Sequence, residues 1–459
     1  MRSYYTRNKW FFGLGTIGRD MFYTLLSVYF LTFMTEVLDL SNEMVAVTGS
    51  VLAVLRIFDA LNDPLMGVIV DNTNSRWGKF KPAMLIGALT SSVFLILLFT
   101  DLWSSSSLYL LFFILLYLLW DVTYGLNDIA YWSMLPALTL DQNQREKIGA
   151  LARIWANVGM YIVVVGIIPV TGMLEEAVGS AKQAWLIFAV AVSVLMIGFQ
   201  LFTLLGVKEN RQIFKKEEKT TLRGMFKAIF KNDQLLFTVI AMGLFSIGYT
   251  TTAEFGTYYF IYAYGDKNAY STFTLILGVS QLISLLVFPY FSKRFTRRQL
   301  YTSSTIIVIA AYLLFFFTPM NMIPIGIAGV LLFIGDGFIQ ILMLMFLTDT
   351  IEYGQWKFGK RNEAVTFSVQ PLINKLGSAI ATLIITWTLI ISGINDADTR
   401  GVPVTPEGIT VLKTSMFLIP LICIIVGYFV YRFKYKIDKK FYDQIVTDLA
   451  SRGDIKEVK

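Results

Sequence analysis

Arg56-Ile57-Phe58-Asp59-Ala60-Leu61-Asn62-Asp63-Pro64 is a charged patch near the middle of an otherwise apolar run from about 45 to 70. A run of that length crosses a bilayer as a helix. Asp59 and Asp63 are four apart and share a helix face, with Arg56 one turn earlier on the same side and Asn62 three from Asp59. A charged side chain at mid-membrane costs roughly 2.5–3.5 kcal/mol even on lenient insertion scales. Two carboxylates one turn apart in low dielectric also repel, so they do not both stay ionised without a partner. Arg56 compensates one; the other takes a proton or a metal cation, and Asn62 offers a further oxygen. The plainer alternative is a buried structural ion pair of Arg56 and Asp59, with Asp63 facing the cytoplasmic end. Intramembrane ionisable groups mark ion or proton pathways by default, which favours the first account.

Working outward, the chain has 459 residues, 55% hydrophobic and 15% charged. Soluble domains carry about 25% charged residues, so composition points to a polytopic membrane protein. The net charge of +7 is no nucleic-acid signal, because the basic residues sit in short loops and the tail. The one cysteine, Cys423, lies in an apolar run, where a thiolate is disfavoured; it allows no intrachain disulfide. Zero histidines exclude His-ligated metals and His-based catalysis. The short basic start, residues 1–9, precedes a span too long for a cleaved signal, so no targeting segment is expected.

Apolar runs long enough to span occur twelve times, near residues 10–35, 44–70, 82–100, 107–133, 150–171, 184–206, 235–262, 270–292, 301–318, 323–349, 364–393 and 412–432. Basic residues mark alternate loops: Arg2, Arg7 and Lys9; Arg76, Lys79 and Lys81; Arg145 and Lys147; the 207–234 connection; Lys293 to Arg298; Lys357, Lys360 and Arg361; and the tail from Arg432. The intervening loops are acidic or neutral, with Glu36, Asp39 and Glu43, then Asp101, then Glu175 and Glu176. The positive-inside rule then places both termini in the cytoplasm of a multi-pass cell-membrane protein, which requires an even number of spans. The expected fold is all-α, twelve transmembrane helices in two six-helix bundles: 1–206 and 235–432, joined by a cytoplasmic linker at 207–234 and followed by a cytoplasmic tail at 433–459. Two bundles related by an axis along the membrane normal are the major-facilitator plan, with a substrate site expected between the halves at mid-membrane.

Further charges interrupt the spans: Arg19-Asp20 in the first; Asp121 and Asp128 in the fourth, with Tyr131 and Trp132 after; Arg153 beside Trp155 in the fifth; Glu254 in the seventh; Asp336, Gln340 and Asp349 in the tenth; Gln370, Asn374 and Lys375 in the eleventh. Asp121 and Asp128 share a face, and Trp132 lies one turn beyond Asp128. A carboxylate that accepts two hydroxyl hydrogen bonds beside an aromatic face suits a pyranose, and Arg153 and Lys375 add donors for ring and glycosidic oxygens. Taken alone, Trp132 reads as core or interfacial packing. Structural pairing or exposure at helix ends is expected of Asp121, Asp336 and Glu254, and Asp128, Arg153 and Lys375 are alternatively expected to pair with one another across the bundle. Arg76, Lys79 and Lys81, with Asp349, Glu352, Lys357, Arg361 and Glu363, suit ion pairs between helices or, equally, a solvated orientation-setting face.

Together these residues resemble a known family, the glycoside–pentoside–hexuronide:cation symporters, or melibiose-carrier family, of the major facilitator superfamily. The similarity runs from Phe12 to about Trp387, on Gly18-Arg19-Asp20, Arg56 through Gly67, Ser75-Arg76-Trp77-Gly78-Lys79-Phe80-Lys81-Pro82, Asp128 through Ser133 with Pro136, Arg153, Asp349 with Glu352-Tyr353-Gly354, and Gln370 with Lys375 through Ala379. The resemblance implies cation-coupled sugar or glycoside symport by alternating access, with no cofactor beyond a coupling ion, H+ or Na+. It implies that Asp59, Asn62 and Asp63 hold that ion, and would be the metal ligands if it is sodium. It assigns the sugar to Arg19, Asp20, Asp128, Trp132, Arg153, Gln370 and Lys375, with Gln340 at a further pocket position. Departures are Gly125 where the family has a sodium-site threonine, which makes a proton more plausible than sodium, and Gln340 and Pro371 where it has a pocket tryptophan and threonine. Glu254 has no family counterpart. The expected partners are a sugar or glycoside, the coupling cation and the lipid bilayer, and no nucleic acid. Rival accounts are a lipid-transporting major facilitator, which needs a lateral apolar opening, and an intramembrane carboxylate hydrolase. The hydrolase lacks an activated nucleophile or metal cluster, so the chain is not expected to be an enzyme.

Overall fold

The computed structural model describes residues 2–38, 42–101, 108–209, 230–394 and 403–455. The regular structure among those residues is helical, with no strand. In order the helices are α1 (Arg2–Thr32), α2 (Asn42–Asp71), α3 (Lys81–Leu98), α4 (Tyr109–Leu138), α5 (Gln142–Val178) and α6 (Ala181–Gly206). There follow α7 (Asp233–Tyr258), α8 (Lys267–Phe291), α9 (Arg297–Phe317), α10 (Met322–Phe358), α11 (Glu363–Ile391), α12 (Pro406–Lys434) and α13 (Lys439–Ser451). The helices α1 and α7 each continue into a short π-helical turn, Phe33–Val37 and Tyr259–Tyr264.

Among the described residues ten helices are long and apolar enough to cross a membrane. The two long helices outside that set are α1, interrupted by Arg19-Asp20, and α2, which carries the Arg56–Asp63 charges and some side chains outside the described residues. The expected all-helical membrane architecture is therefore the one observed. Helix starts are fixed by side-chain caps that satisfy otherwise orphaned N–H groups. Asp141 accepts from the Gln144 N–H at the start of α5, and Thr296 with Gln299 forms a capping box at α9. Helix α13 lies within the expected tail and at 13 residues is too short to span.

The chain groups into two compact units. The first comprises Met1–Phe226, Lys360–Val369 and Leu449–Lys459; the second comprises Lys227–Gly359 and Gln370–Asp448. Most of the 207–234 linker lies outside the described residues.

In the first unit an aromatic core stacks along α1 and α4. Phe22, Trp120 and Tyr124 lie within 6.3 Å of one another by ring centroid, and Phe30, Phe99 and Phe113 continue the stack. Close helix approach depends on small residues, as is usual where lipid gives no hydrophobic drive. A Cβ on Gly18 would meet the Leu195 carbonyl of α6 at 2.6 Å, and one on Gly159 of α5 would meet the Ile17 carbonyl at 2.2 Å. These contacts seat α1 so that the next residues, Arg19 and Asp20, turn toward α4. In the second unit, Tyr259, Phe315 and Phe417 form a comparable cluster among α7, α9 and α12.

Candidate functional site

The acids of α2 are buried against α4. Asp59, Asn62 and Asp63 are 6%, 2% and 2% exposed. The Tyr117 hydroxyl donates to Asp59 Oδ2 at 3.4 Å, and the Asn62 amide donates to Asp121 Oδ2 at 3.3 Å. One turn further along α4, a Cβ on Gly125 would lie 3.5 Å from Asp63 Oδ1 and 3.8 Å from Asn62 Nδ2. Tyr117, Asp121 and Gly125 are spaced by four, so one stripe of α4 lies over the acidic stripe of α2. The Arg56 side chain lies outside the described residues. Among the described residues no three His, Cys, Asp or Glu side chains cluster as a metal site, so any metal here would rest on two carboxylates, amide oxygen and water.

A second polar cluster lies where α1, α4 and α5 meet. Arg19, 2% exposed, bridges two acids: its Nη1 pairs with Asp128 Oδ1 and its Nη2 with Asp20 Oδ2 at 3.0 Å. Both acids keep partial access, with side chains 27% and 23% exposed. The Arg19 guanidinium also lies over the rings of Tyr131 (4.7 Å) and Trp132 (5.0 Å), and the Arg153 guanidinium lies 4.5 Å from the Trp132 ring. Buried Arg153 Nε has no hydrogen-bond partner. Trp132, 7% exposed, is thus covered by two cations rather than presenting an open face. The cluster offers two carboxylates able to accept hydroxyl donors and an arginine with donors to give, which is hydroxyl-recognition chemistry.

Asp121 and Asp128 share a face of α4, as their spacing requires, yet they engage different neighbours. Asp121 meets Asn62 of α2, whereas Asp128 meets Arg19 of α1. Asp128 thus takes its ion pair from the adjacent α1 and also lies within electrostatic reach of Arg153. Sequence reasoning left Asp121 and Tyr117 out of the acid site; their i, i+4, i+8 spacing with Gly125 was the available signal.

In the second unit, Gln340 of α10 donates to Asp336 Oδ2 at 2.8 Å. Gln370 and Lys375 are half-buried on α11. Glu254 of α7 accepts from Ser378 at 3.1 Å and Thr382 at 3.4 Å, both on α11. Asp121, Asp336 and Glu254 thus each accept a side-chain hydrogen bond from a neighbouring helix.

The loop after α2 is held by charge. Lys79 Nζ lies 3.1 Å from Asp71 Oδ1 and 3.0 Å from Glu363 Oε2, and Arg361 Nε lies 2.5 Å from Glu363 Oε1. Asp71 also accepts the N–H groups of Ala364 and Val365, capping α11. Gly78 has φ +136°, a region that L side chains rarely adopt, and a Cβ there would meet Glu209 Oε1 at 2.3 Å. Glu209 accepts from the N–H groups of Lys79 (2.7 Å) and Lys81 (3.3 Å); burial pushes its carboxyl above the ordinary value, partly offset by those bonds. Of the other residues expected to pair, Lys357 joins Asp233 at 2.6 Å and Asp349 joins Arg297 at 2.5 Å, both within the second unit.

The family model described as MFS/sugar transport protein matches residues 11–439. The chain is 32% identical to the lactose permease of Lactobacillus delbrueckii subsp. bulgaricus over 451 residues, covering 96% of this chain and 72% of that protein. It is 30% identical to the raffinose carrier protein of Pediococcus pentosaceus over 452 residues, covering 95% and 70%. Among solved structures, the major facilitator superfamily transporter FucP in the outward conformation superposes with a TM-score of 0.65 at 14% identity, covering 94% of this chain and 99% of that one. The fold is that of the major facilitator superfamily, and its family carries solutes rather than converting them. The chain belongs to the MFS/sugar transport protein family, within the glycoside–pentoside–hexuronide:cation symporters that its own motifs resemble.

Proposed function

We propose that this chain is a cation-coupled sugar or glycoside symporter of the cell membrane, working by alternating access between halves at 1–206 and 235–432, with linker and both termini cytoplasmic. The observation that carries the proposal is the shared helix α4. It faces the Asp59–Asn62–Asp63 stripe through Tyr117, Asp121 and Gly125, and Arg19 through Asp128, about one turn on. A cation that neutralises the acid pair changes what α2 asks of α4, and α4 carries Asp128 and Trp132. Ion and sugar thereby report on each other through one rigid element, the physical requirement for coupling. The sugar is assigned to Arg19, Asp20, Asp128, Trp132 and Arg153 of the first half with Gln340, Gln370 and Lys375 of the second.

A proton is the favoured ion. Gly125 supplies no hydroxyl where it borders Asp63, so a sodium ion would lack that ligand, whereas a proton needs only one carboxylate. The names of the relatives make galactosides such as lactose and raffinose the first substrates to test. The decisive experiment is uptake of labelled pentosides, hexosides and hexuronides into vesicles, with and without sodium and a proton gradient. Accumulation driven by the proton gradient, lost in Asp63→Cys while some downhill flux remains, supports the proposal. Unimpaired accumulation in both Asp59→Cys and Asp63→Cys overturns the coupling role.

A further inference from the structure

The second unit holds a carboxyl to which the coupling scheme gives no task. Asp336 of α10 is 2% exposed. Its Oδ2 accepts from Gln340 at 2.8 Å and from Gln281 of α8 at 3.5 Å. Its buried Oδ1 has no hydrogen-bond partner. Both donors are neutral amides, and among the described residues no Lys or Arg forms an ion pair with it.

Asp336 borders a cavity of about 20 Å³, lined also by Tyr249 and Thr252 of α7, Tyr312 of α9 and Ile424 of α12. A water needs roughly 10–15 Å³ and two to four polar partners. The space is large enough for one water, but its wall is apolar and the hydroxyls of Thr252 and Tyr312 pair with each other at 2.5 Å, so it offers the carboxyl no polar partner. The titratable groups around Asp336 are Tyr249, Tyr312 and, beyond Tyr312, Cys423. None is cationic. A lone carboxylate there would be a buried charge with only amide dipoles against it, which costs several kcal/mol. The same group with a proton is neutral and escapes that cost.

We propose that Asp336 is a second proton-binding site, in the C-terminal unit and separate from Asp59 and Asp63, with a resident proton on its unpartnered, buried Oδ1. The proton arrives from water and no bond other than O–H is made. This proton stays through the transport cycle, in contrast to the exchangeable ion of α2.

Infrared spectroscopy of purified protein labelled with 13C-aspartate tests the assignment without any transport step. At neutral pH, Asp336→Asn should lose one protonated-carboxyl C=O band that persists in Asp59→Asn/Asp63→Asn. Counterflow in proteoliposomes should continue at the parent rate in Asp336→Asn, because the amide mimics the neutral acid. A spectrum unchanged by Asp336→Asn overturns the proposal. So does abolished counterflow in a folded Asp336→Asn protein, which would mean an anion is needed. If Asp336→Asn does not fold, absence of any protonated-aspartate band from the Asp59→Asn/Asp63→Asn protein overturns it equally. Failure of Asp59 and Asp63 to couple transport would leave the infrared result untouched.

Discussion

Two buried carboxylate sites, one in each unit, keep opposite company. In the first, acids come in company: Asp121 takes the Asn62 amide of the stripe that holds Asp59 and Asp63, and Asp20 and Asp128 flank Arg19. In the second, Asp336 stands among amides, hydroxyls and rings. The difference teaches how to sort intramembrane acids. A group of like charges with one or two cations has several charge states of similar energy, which an arriving ion or ligand shifts. A single acid in an apolar wall has one affordable state and keeps it.

Three substitutions probe this contrast. The largest effect is expected from Arg19→Gln, which leaves Asp20 and Asp128 facing each other without their shared cation. Removing one partner of a buried pair costs roughly 3–5 kcal/mol, and the partial exposure of both acids, 27% and 23%, places this case near or below the low end. Sugar binding by calorimetry should be lost and the melting temperature in detergent lowered. Unchanged binding would remove this cluster from the sugar site. Next is Gly125→Thr, which places a hydroxyl beside Asp63 where a Cβ finds ordinary contact at 3.5 Å. Sodium should then stimulate uptake at a concentration roughly tenfold lower, the ~1.4 kcal/mol scale of one good polar ligand. An unaltered sodium response would separate Gly125 from the ion.

The smallest effect is expected from Glu209→Gln, at the edge of the first unit. Burial raises the Glu209 carboxyl, so the folded state binds its proton more tightly than the unfolded chain does. Its contribution to stability therefore falls as pH climbs from the ordinary glutamate value, about 4.3, toward the folded one. Glu209→Gln should flatten that part of the melting-temperature profile; a parallel shift at every pH would assign Glu209 to loop geometry alone.

Much of this was legible in the chain. Composition and loop charge fixed the membrane class, and helical spacing put Asp59, Asn62 and Asp63 on one buried face. The identity of Asp128's partner was not legible, because it depends on Gly18 and Gly159 letting α1 approach its neighbours. Nor was the double cover of Trp132 by Arg19 and Arg153, which needs three helices placed at once. Asp121 was visible as a charge but not as a neighbour of Asn62, since sequence spacing orders one helix and says nothing of the register between two.

One consequence follows from how α11 begins. Its opening turns, through Val369, group with the first unit, where Asp71 caps them and Lys79 grips Glu363. Two residues after that boundary comes Pro371, which has no N–H to return to the Phe367 carbonyl. The helix that bears Gln370 and Lys375 is therefore clamped at its root and weakened just above it, like a lever notched beside its mounting. Any swing of its upper length is paid out at that notch, while the root stays fastened to the end of the helix that holds Asp59 and Asp63.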